Sequence, residues 1–162
     1  MKGVFCGTFD PVTRGHMDII ERASKLFDEL YVVVTPNSDK HTMFSDEFRK
    51  KLIEGCCEKL GNVSVLVTGG LATAACRNLG ANVLIRSLRS EADYAYEQNM
   101  ADMNALIAPH IETIFLCGRP EHSAISSSNV REFLRYGLDI SALVPEKAAL
   151  MIKEETEHEN DR

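Results

Sequence analysis

Five short runs of β-branched and aromatic residues alternate along the chain with longer stretches of helical periodicity. The runs span residues 4–6, 31–35, 63–67, 83–85 and 113–117. Between them, apolar residues recur at spacings of three and four, as in Met17, Ile20 and Ala23, which is the spacing of one helix face. Strands separated by helices of this length pack as a parallel sheet with right-handed crossovers and helices on both faces. We therefore predict a doubly wound α/β fold with five parallel strands.

The ends of the predicted helices carry the residue types that cap helices. Ser45 precedes two acidic residues and an apolar stretch, and Gly80 and Gly137 each follow the end of a helical pattern. Serine at a helix start and glycine just after a helix end satisfy backbone groups that the helix leaves unpaired. These signals agree with a Rossmann-like order of strands and helices in a single domain.

Length and charge exclude several classes of protein. The chain has 162 residues, of which 44% are hydrophobic and 26% charged, as in a single globular domain. No apolar run approaches the roughly 20 residues that cross a bilayer, so we expect no membrane contact and a cytoplasmic protein. The net charge of −6 argues against a broad nucleic-acid surface. Any anion must therefore be bound locally.

The end of the chain is expected to lie outside the core. A short helix is predicted from residue 145 to about residue 155, and an acidic sequence follows it. Charged chain ends of this kind are solvated and frayed. We predict one domain over residues 1–156 and a tail over residues 157–162.

The cysteines do not form a recognisable pattern. They are odd in number and lack the C-x-x-C spacing of a zinc site, so we interpret them as buried thiols, with a redox or metal role as the alternative. The five are Cys6, Cys56, Cys57, Cys76 and Cys117.

The loop after the first predicted strand has the residues of an anion site. Ligands of open parallel sheets bind beyond the carboxyl ends of the strands, and residues 7–16 lie there. Gly7 lets a phosphate approach the backbone, Thr8 offers a hydroxyl, and His16 falls in the first turn of the next helix, where free N–H groups favour an anion. The loop is neither a Walker A motif nor a G-x-G-x-x-G motif. A lone histidine would suggest an ordinary turn, but the whole ten-residue string argues against that.

This string resembles the signature of the nucleotidylyltransferase superfamily. The matching residues are Gly7-Thr8-Phe9-Asp10-Pro11, followed by Thr13-Arg14-Gly15-His16. Further stretches are similar to the phosphopantetheine adenylyltransferases of coenzyme A biosynthesis, and the resemblance covers nearly the whole chain. They are Ile85-Arg86-Ser87-Leu88-Arg89 with Asp93, Tyr96, Glu97 and Asn104, then Ile125 to Glu132, and Lys40 before Met43-Phe44.

The resemblance implies transfer of AMP from ATP to 4′-phosphopantetheine, which yields dephospho-coenzyme A and pyrophosphate. It also implies Mg²⁺ bound mainly through the substrate phosphates, no dedicated metal site on the protein, and coenzyme A as a product-like inhibitor. A phosphate that attacks ATP in line needs no nucleophile from the protein. The family further implies a homo-hexamer. Met100, Met103 and Leu106 could supply subunit contacts, although burial in the core is the alternative use for them.

Individual roles also follow from the resemblance. His16 stabilises the transition state at the α-phosphate, Lys40 offsets the charge of the attacking phosphate, and Arg89 is the third catalytic residue. The expected contacts to phosphopantetheine are Thr8, Lys40, Leu71, Ala72, Arg86 and Asn104. The expected contacts to ATP are Thr8, Phe9, His16, Ser87, Leu88, Arg89, Glu97, His122, Ser123, Ala124, Ile125, Ser126, Ser127 and Ser128. Without the resemblance, the arginines could be surface residues, Lys40 a solvated lysine and Glu97 a helix-surface acid paired with a neighbour.

Five positions depart from the family's pattern. Ser87 stands where glycine is usual, and its presence predicts an ordinary negative φ there. Cys6 replaces a proline, His122 an aromatic residue, and His41-Thr42 a Lys-Pro pair. None of these changes removes a charged group assigned to catalysis.

Two other functions are alternatives. One is another small nucleotidylyltransferase, which would use CTP with a polyol phosphate or ATP with a pyridine mononucleotide. The other is a nucleotide sensor without catalytic activity. Lys40, Arg86 and Tyr96-Glu97 together argue against the first alternative, and the cations expected on the acceptor side argue against the second.

Overall fold

The computed structural model describes residues 1–35 and 42–160. Its strands are β1 (Lys2–Gly7), β2 (Glu29–Val34), β3 (Val63–Val67), β4 (Val83–Leu88) and β5 (Glu112–Cys117). Its α-helices are α1 (Arg14–Ser24), α2 (Asp46–Cys57), α3 (Ala72–Leu79), α4 (Glu91–Ile107), α5 (Ser127–Arg135) and α6 (Glu146–Asn160), and a 3₁₀ turn covers Pro120–His122. Strands and helices alternate through β5, as predicted.

The sheet is parallel throughout, in the order β3-β2-β1-β4-β5. The chain builds outward from β1 through β2 to β3, then returns to place β4 on the other side of β1. This reversal opens a crevice between the carboxyl ends of β1 and β4, where doubly wound folds bind ligands. Phe5 pairs with Ile85 across the two strands, so the loops that follow them are neighbours. The predicted fold is confirmed.

Successive residues of each strand point to opposite faces of the sheet, and each face has its own core. The first core contains Phe5, Val32 and Ile85, and it is covered by α1, α2, α5 and α6. The second core is smaller and contains Val4, Cys6, Val33 and Leu84. Helices α3 and α4 lie on that side. We call these surfaces the broad face and the narrow face of the sheet.

Helix α4 corrects one expectation. Met100, Met103 and Leu106 are exposed, so their alternative use as core residues is wrong. Among the α4 residues whose burial is described, the buried side chains are Glu97 and Asn104, both polar. The helix therefore buries two polar side chains and leaves several large apolar ones exposed.

Helix α6 continues to Asn160, past the end predicted near residue 155. Residues 146–160 contain neither glycine nor proline, and Lys153 lies 3.9 Å from Glu157 one turn away, a spacing that supports a helix. Residues 157–160, which were expected to belong to a frayed tail, are helical. No helix in the described part of the chain has the length and hydropathy to cross a membrane.

All five cysteines are free thiols, and their burial differs. Cys6, Cys57 and Cys76 are buried and Cys56 is partly buried, as predicted. Burial raises the pKa of the Cys6 and Cys57 thiols to about 12, so they remain protonated. The prediction is wrong for Cys117, which is exposed because it ends β5 at the edge of the sheet.

Candidate active site

Two adjoining cavities occupy the crevice between the ends of β1 and β4. The strand cavity, about 190 Å³, is lined by residues of β1 and β4 that include Gly7, Arg86 and Ser87. The serine cavity, about 330 Å³, is lined by Thr8 and by Ser126 to Ser128 at the start of α5. Phe9, His16 and Arg89 line both cavities. These three residues therefore lie where the two cavities meet.

The loop after β1 is held in an unusual backbone conformation. Phe9 has a φ of 49°, in the left-handed region that non-glycine residues rarely adopt. Its ring lies against Gly7, where a Cβ would come within 2.9 Å of the ring. The fully buried Arg49 donates hydrogen bonds to the carbonyl oxygens of Thr8 and Phe44. The close contact of the Phe9 ring with Gly7 and the hydrogen bonds from Arg49 thus hold the loop after β1 in place.

Asp10 and Arg131 tie this loop to its neighbours. The buried Asp10 carboxylate accepts hydrogen bonds from the backbone N–H groups of Met43 and Phe44 at 2.8 and 3.0 Å. Arg131 donates to the Asp10 carbonyl at 2.6 Å and to the Ser128 hydroxyl at 3.1 Å, and it lines the serine cavity. Sequence reasoning assigned neither residue to the site, although both lie inside the motifs it singled out. Arg49 could have been suspected as a charge on an apolar helix face.

His16 is the third residue of α1 and helps to cap it. Its Nδ1 accepts a hydrogen bond from the Thr13 backbone N–H at 3.1 Å, while its own N–H donates to the Thr13 hydroxyl at 3.3 Å. The Phe9 ring packs edge-on against the imidazole at 5.0 Å. Burial, and secondarily the Arg89 charge, lowers the pKa of His16 to about 4. The ring is therefore neutral at pH 7, and because Nδ1 is an acceptor, its proton is on Nε2.

Arg86 is fixed by three hydrogen bonds. Its Nε and Nη2 donate to the two carboxylate oxygens of Glu97, each at 2.6 Å, and its Nη1 donates to the Cys6 carbonyl at 3.1 Å. A guanidinium has five N–H groups, so one remains on each terminal nitrogen. Glu97 thus occupies one edge of the guanidinium and leaves the other edge available for an anion. The interpretation of Arg86 as a surface arginine is wrong.

Arg89 connects the two sides of the crevice. Its Nε donates to Asp93 at 3.3 Å, and its Nη1 approaches the carbonyl oxygen of Ile125 at 3.4 Å. The side chain therefore extends from the end of β4 toward the segment that precedes α5. Arg89 lines both cavities together with His16, and its positive charge contributes to the lowered pKa of the His16 ring.

The serines form the start of α5. Ser126 is the N-cap and accepts a hydrogen bond from the Asn129 N–H at 3.1 Å, and Ser127 donates to the Pro11 carbonyl at 2.8 Å. The start of α5 and His16 of α1 therefore lie beside the serine cavity. A helix N-terminus such as that of α5 attracts anions through its first N–H groups and the helix dipole.

Comparisons with known proteins agree with this geometry. A family model described as cytidylyltransferase-like matches residues 4–133. A phosphopantetheine adenylyltransferase of Streptococcus pneumoniae strain CGSP14 is 46% identical over 154 residues, which cover 94% of this chain and 95% of the relative. The enzyme of that name from Streptococcus gordonii is 40% identical over 159 residues, covering 98% and 97%. The chain belongs to the phosphopantetheine adenylyltransferase family.

A solved structure also shares the fold. It is a Vibrio parahaemolyticus protein described as a nicotinate-nucleotide adenylyltransferase, with a TM-score of 0.72, 18% identity and coverage of 95% and 92% of the two chains. At this identity the likeness concerns the fold alone. The pyridine-nucleotide alternative is not favoured, because the relatives at 40–46% identity carry the phosphopantetheine adenylyltransferase name.

Most residues predicted from the phosphopantetheine adenylyltransferase motifs line one of the two cavities. They are Thr8, Phe9, His16, Arg86, Ser87, Arg89, Glu97, His122, Ile125, Ser126, Ser127 and Ser128. Leu88, Ser123 and Ala124 adjoin these residues in the chain without lining either cavity. Leu71 is the N-cap of α3, Ala72 is the first residue of α3, and Asn104 lies on α4. Lys40 lies outside the described residues, as does His41.

Ser87 fits its position without strain. It pairs with Leu116 inside the sheet, and among the described residues the only non-glycine φ that is positive belongs to Phe9. The predicted negative φ at Ser87 is confirmed. The glycine that relatives of the phosphopantetheine adenylyltransferase family usually carry here is therefore not required by the backbone of this chain.

Proposed function

We propose that the chain transfers AMP from ATP to 4′-phosphopantetheine, with dephospho-coenzyme A and pyrophosphate as products. The observation that carries the proposal is the junction of two anion-suited cavities at His16 and Arg89, in a family whose members are named for this reaction. Two anionic substrates need two such spaces that meet at the reacting phosphorus. A nucleotide sensor would need only one.

The triphosphate fits the serine cavity, and the acceptor phosphate fits the part of the strand cavity beside Arg86. The opposite wall of the strand cavity, formed by His122 and Ile125, is assigned to the nucleoside of ATP. An oxygen of the acceptor phosphate then forms a bond to the α-phosphorus of ATP. The bond from that phosphorus to the oxygen bridging the α- and β-phosphates breaks, and its electron pair leaves with pyrophosphate. The protein therefore has to align the two groups and stabilise the charge between them.

His16 is suited to act as a neutral hydrogen-bond donor. Its Nε2–H can donate to an α-phosphate oxygen, and the bond strengthens as negative charge grows in the transition state. Because Thr13 already fixes the ring, little reorganisation is required at that moment. Arg89 supplies the nearby positive charge, and Lys40 is proposed to do so for the attacking phosphate.

Arg86 is suited to bind the acceptor phosphate. Glu97 holds the guanidinium by one edge, and the two remaining N–H groups can donate to two phosphate oxygens. The structure supports Glu97 as the residue that orients Arg86. Its contact with ATP remains a prediction of the resemblance, as do the contacts of Leu71, Ala72 and Asn104 with the pantetheine arm.

We propose that Mg²⁺ is carried mainly by the phosphates of ATP. Among the described residues, no group of three or more His, Cys, Asp or Glu side chains is placed to hold a metal ion. The serine cavity instead offers the hydroxyl groups of Thr8 and of Ser126 to Ser128, and a phosphate-bound ion that keeps most of its water shell suits such donors. When bound, the ion would neutralise charge on the leaving pyrophosphate.

A homo-hexamer, inhibition by coenzyme A and a cytoplasmic location remain proposals of the family resemblance. The exposed apolar side chains of α4 support assembly, since exposed apolar residues of this kind mark contact surfaces. They are Tyr94, Tyr96, Met100, Met103, Leu106 and Ile107.

Release of pyrophosphate tests the proposed reaction directly. The purified chain is given ATP, Mg²⁺ and 4′-phosphopantetheine, with ATP plus nicotinate mononucleotide and CTP plus glycerol phosphate as control pairs. Turnover with the first pair alone is expected, and it should stop when Mg²⁺ is chelated. Turnover with either control pair, and none with the first, would contradict the proposal.

A further inference from the structure

Asp18 is an enclosed carboxylate that the proposed reaction does not use. It lies on α1 two residues after His16, and its side chain is 8% exposed. Its Oδ2 accepts a hydrogen bond from Arg22 Nη1 at 2.9 Å, and its Oδ1 lies 3.0 Å from Arg119 Nε. Because the Asp18 carboxylate is buried, loss of either arginine contact leaves its charge less compensated than in a fully exposed pair.

The two arginines connect α1 to the segment after β5. Arg22 Nη1 also donates to the Cys117 carbonyl at 2.7 Å, and Arg119 is the residue from which the 3₁₀ turn Pro120–His122 begins. Asp18 therefore fixes the end of β5 and the start of the turn against the helix that carries His16. On its other side, the segment is held by the Gly118 N–H, which donates to the Leu88 carbonyl at 2.7 Å.

The segment fixed in this way forms part of the candidate site. His122 and Ile125 line the strand cavity, and Ser126 begins α5 directly afterwards. His122 also lies against α1, since its Cβ is 3.6 Å from the place where a Cβ on Gly15 would be. A shift of residues 117–125 would therefore move one wall of the site relative to His16.

We propose that Asp18 is a positioning residue that, through Arg22 and Arg119, sets the segment 117–125 for nucleotide binding. The inference rests on the proposed function, because it assigns the segment to the ATP side. Asp18 itself touches neither cavity, so it acts on affinity for ATP and leaves the chemical step unchanged. Arg86, on the acceptor side of the strand cavity, is held by Glu97 and the Cys6 carbonyl and by no member of the Asp18 cluster, so the affinity for the acceptor is kept.

Arg119→Gln is the first variant, because this side chain is 58% exposed and its loss leaves the core intact. Asp18→Asn is the second. In each, we expect the KM for ATP, and the Kd for ATP measured by calorimetry without acceptor, to rise about five-fold. The kcat at saturation and the KM for phosphopantetheine should stay within about two-fold.

Lys25→Gln is the matched control, since Lys25 lines the same outer groove as Arg119 and is exposed. It removes the same charge from that groove, and it should leave ATP affinity unchanged. Combining Asp18→Asn with Arg119→Gln should raise the Kd for ATP no further than Asp18→Asn alone, because that change already weakens the contact with Arg119. Amide exchange over residues 117–125 should accelerate in both single variants.

Three results would overturn the inference: ATP affinity unchanged in both variants, an equal loss in Lys25→Gln, or a fall in kcat with both KM values raised together. If the unaltered chain binds no ATP, the proposed function fails and the inference fails with it. If the unaltered chain binds ATP and turns over, but the variants match it, the positioning role alone is wrong.

Discussion

The broad face and the narrow face of the sheet are packed with different residues. On the broad face, the core between the sheet and four helices contains large side chains, such as Phe5 of β1, Ile20 of α1 and Leu52 of α2. On the narrow face, the helices and their ends contribute small residues, among them Ala75, Cys76 and Ala108. A larger buried apolar area stabilises more, so most of the folding energy comes from the broad face.

The two faces also divide the work of the site. His16 and Ser126 to Ser128 belong to α1 and α5, on the broad face, and they flank the space assigned to the nucleotide. Arg86 shares the narrow face with Leu84, where Glu97 of α4 can reach it. The broad face therefore carries His16 and the serines for the reacting phosphates, and the narrow face carries Arg86 for the acceptor.

The largest effect is expected from His16→Ala. If the broad face supplies the catalytic donor, kcat should fall by roughly 10²–10³, about 3–4 kcal/mol, while the KM of each substrate stays within a few-fold. Steady-state kinetics with both substrates measures this, and His110→Ala, at an exposed position, is the control. Normal kcat together with abolished ATP binding would make His16 a binding residue only.

Val32→Ala and Val33→Ala compare the two cores directly, because the residues are adjacent in β2, fully buried and on opposite faces. We expect Val32→Ala to cost about 2–3 kcal/mol, since its large neighbours cannot close the cavity. Val33→Ala should cost about 1–1.5 kcal/mol, because fewer large groups surround it. Urea unfolding measures both, and equal costs would refute the comparison.

Arg86→Lys examines the acceptor side. Lysine keeps the charge paired with Glu97 but lacks the planar fork, so the KM for phosphopantetheine should rise about ten-fold. ATP affinity, measured alone by calorimetry, should change little. Arg77→Lys, on the exposed side of α3, should change neither quantity. A rise confined to the KM for ATP would reverse the assignment of the two faces.

Leu106→Glu tests whether helix α4, which packs on the narrow face, contacts other copies of the chain. Leu106 is 76% exposed on α4, and a charge there should break an apolar contact and lower the particle mass up to six-fold. Leu150→Glu, at a residue 56% exposed on α6, should leave the mass unchanged. Light scattering that finds an 18.0 kDa monomer for the unaltered chain would exclude the hexamer.

A smaller, gradual effect is expected from pH. The folded chain lowers the pKa of His16 from an ordinary 6.5 to about 4, so between these values the unfolded chain binds a proton that the folded chain does not. The stability that this residue contributes is complete above pH 6.5 and is lost as the pH falls toward 4. The unfolding free energy of His16→Gln should lack this part of the decline.

Much of the architecture could be predicted because it depends on local patterns. Alternating strand and helix periods identified all five strands, and the spacing from Gly7 to His16 placed the imidazole in the first turn of α1. The contacts that hold the site could not be predicted, since they join distant residues. Arg86 meets Glu97 only because α4 crosses back over β4, and Asp18 meets Arg119 only through the packing of α1 against the end of β5.

The hydrogen bond between Thr13 and His16 has a consequence for water. The Nδ1 lone pair of His16 accepts the Thr13 backbone N–H at the start of α1, and Nε2 carries a proton. The imidazole therefore presents no free lone pair to the reacting phosphorus. A water molecule beside this ring meets a hydrogen-bond donor, and His16 offers it no base. The contact that begins α1 thus prevents His16 from activating water for attack on ATP.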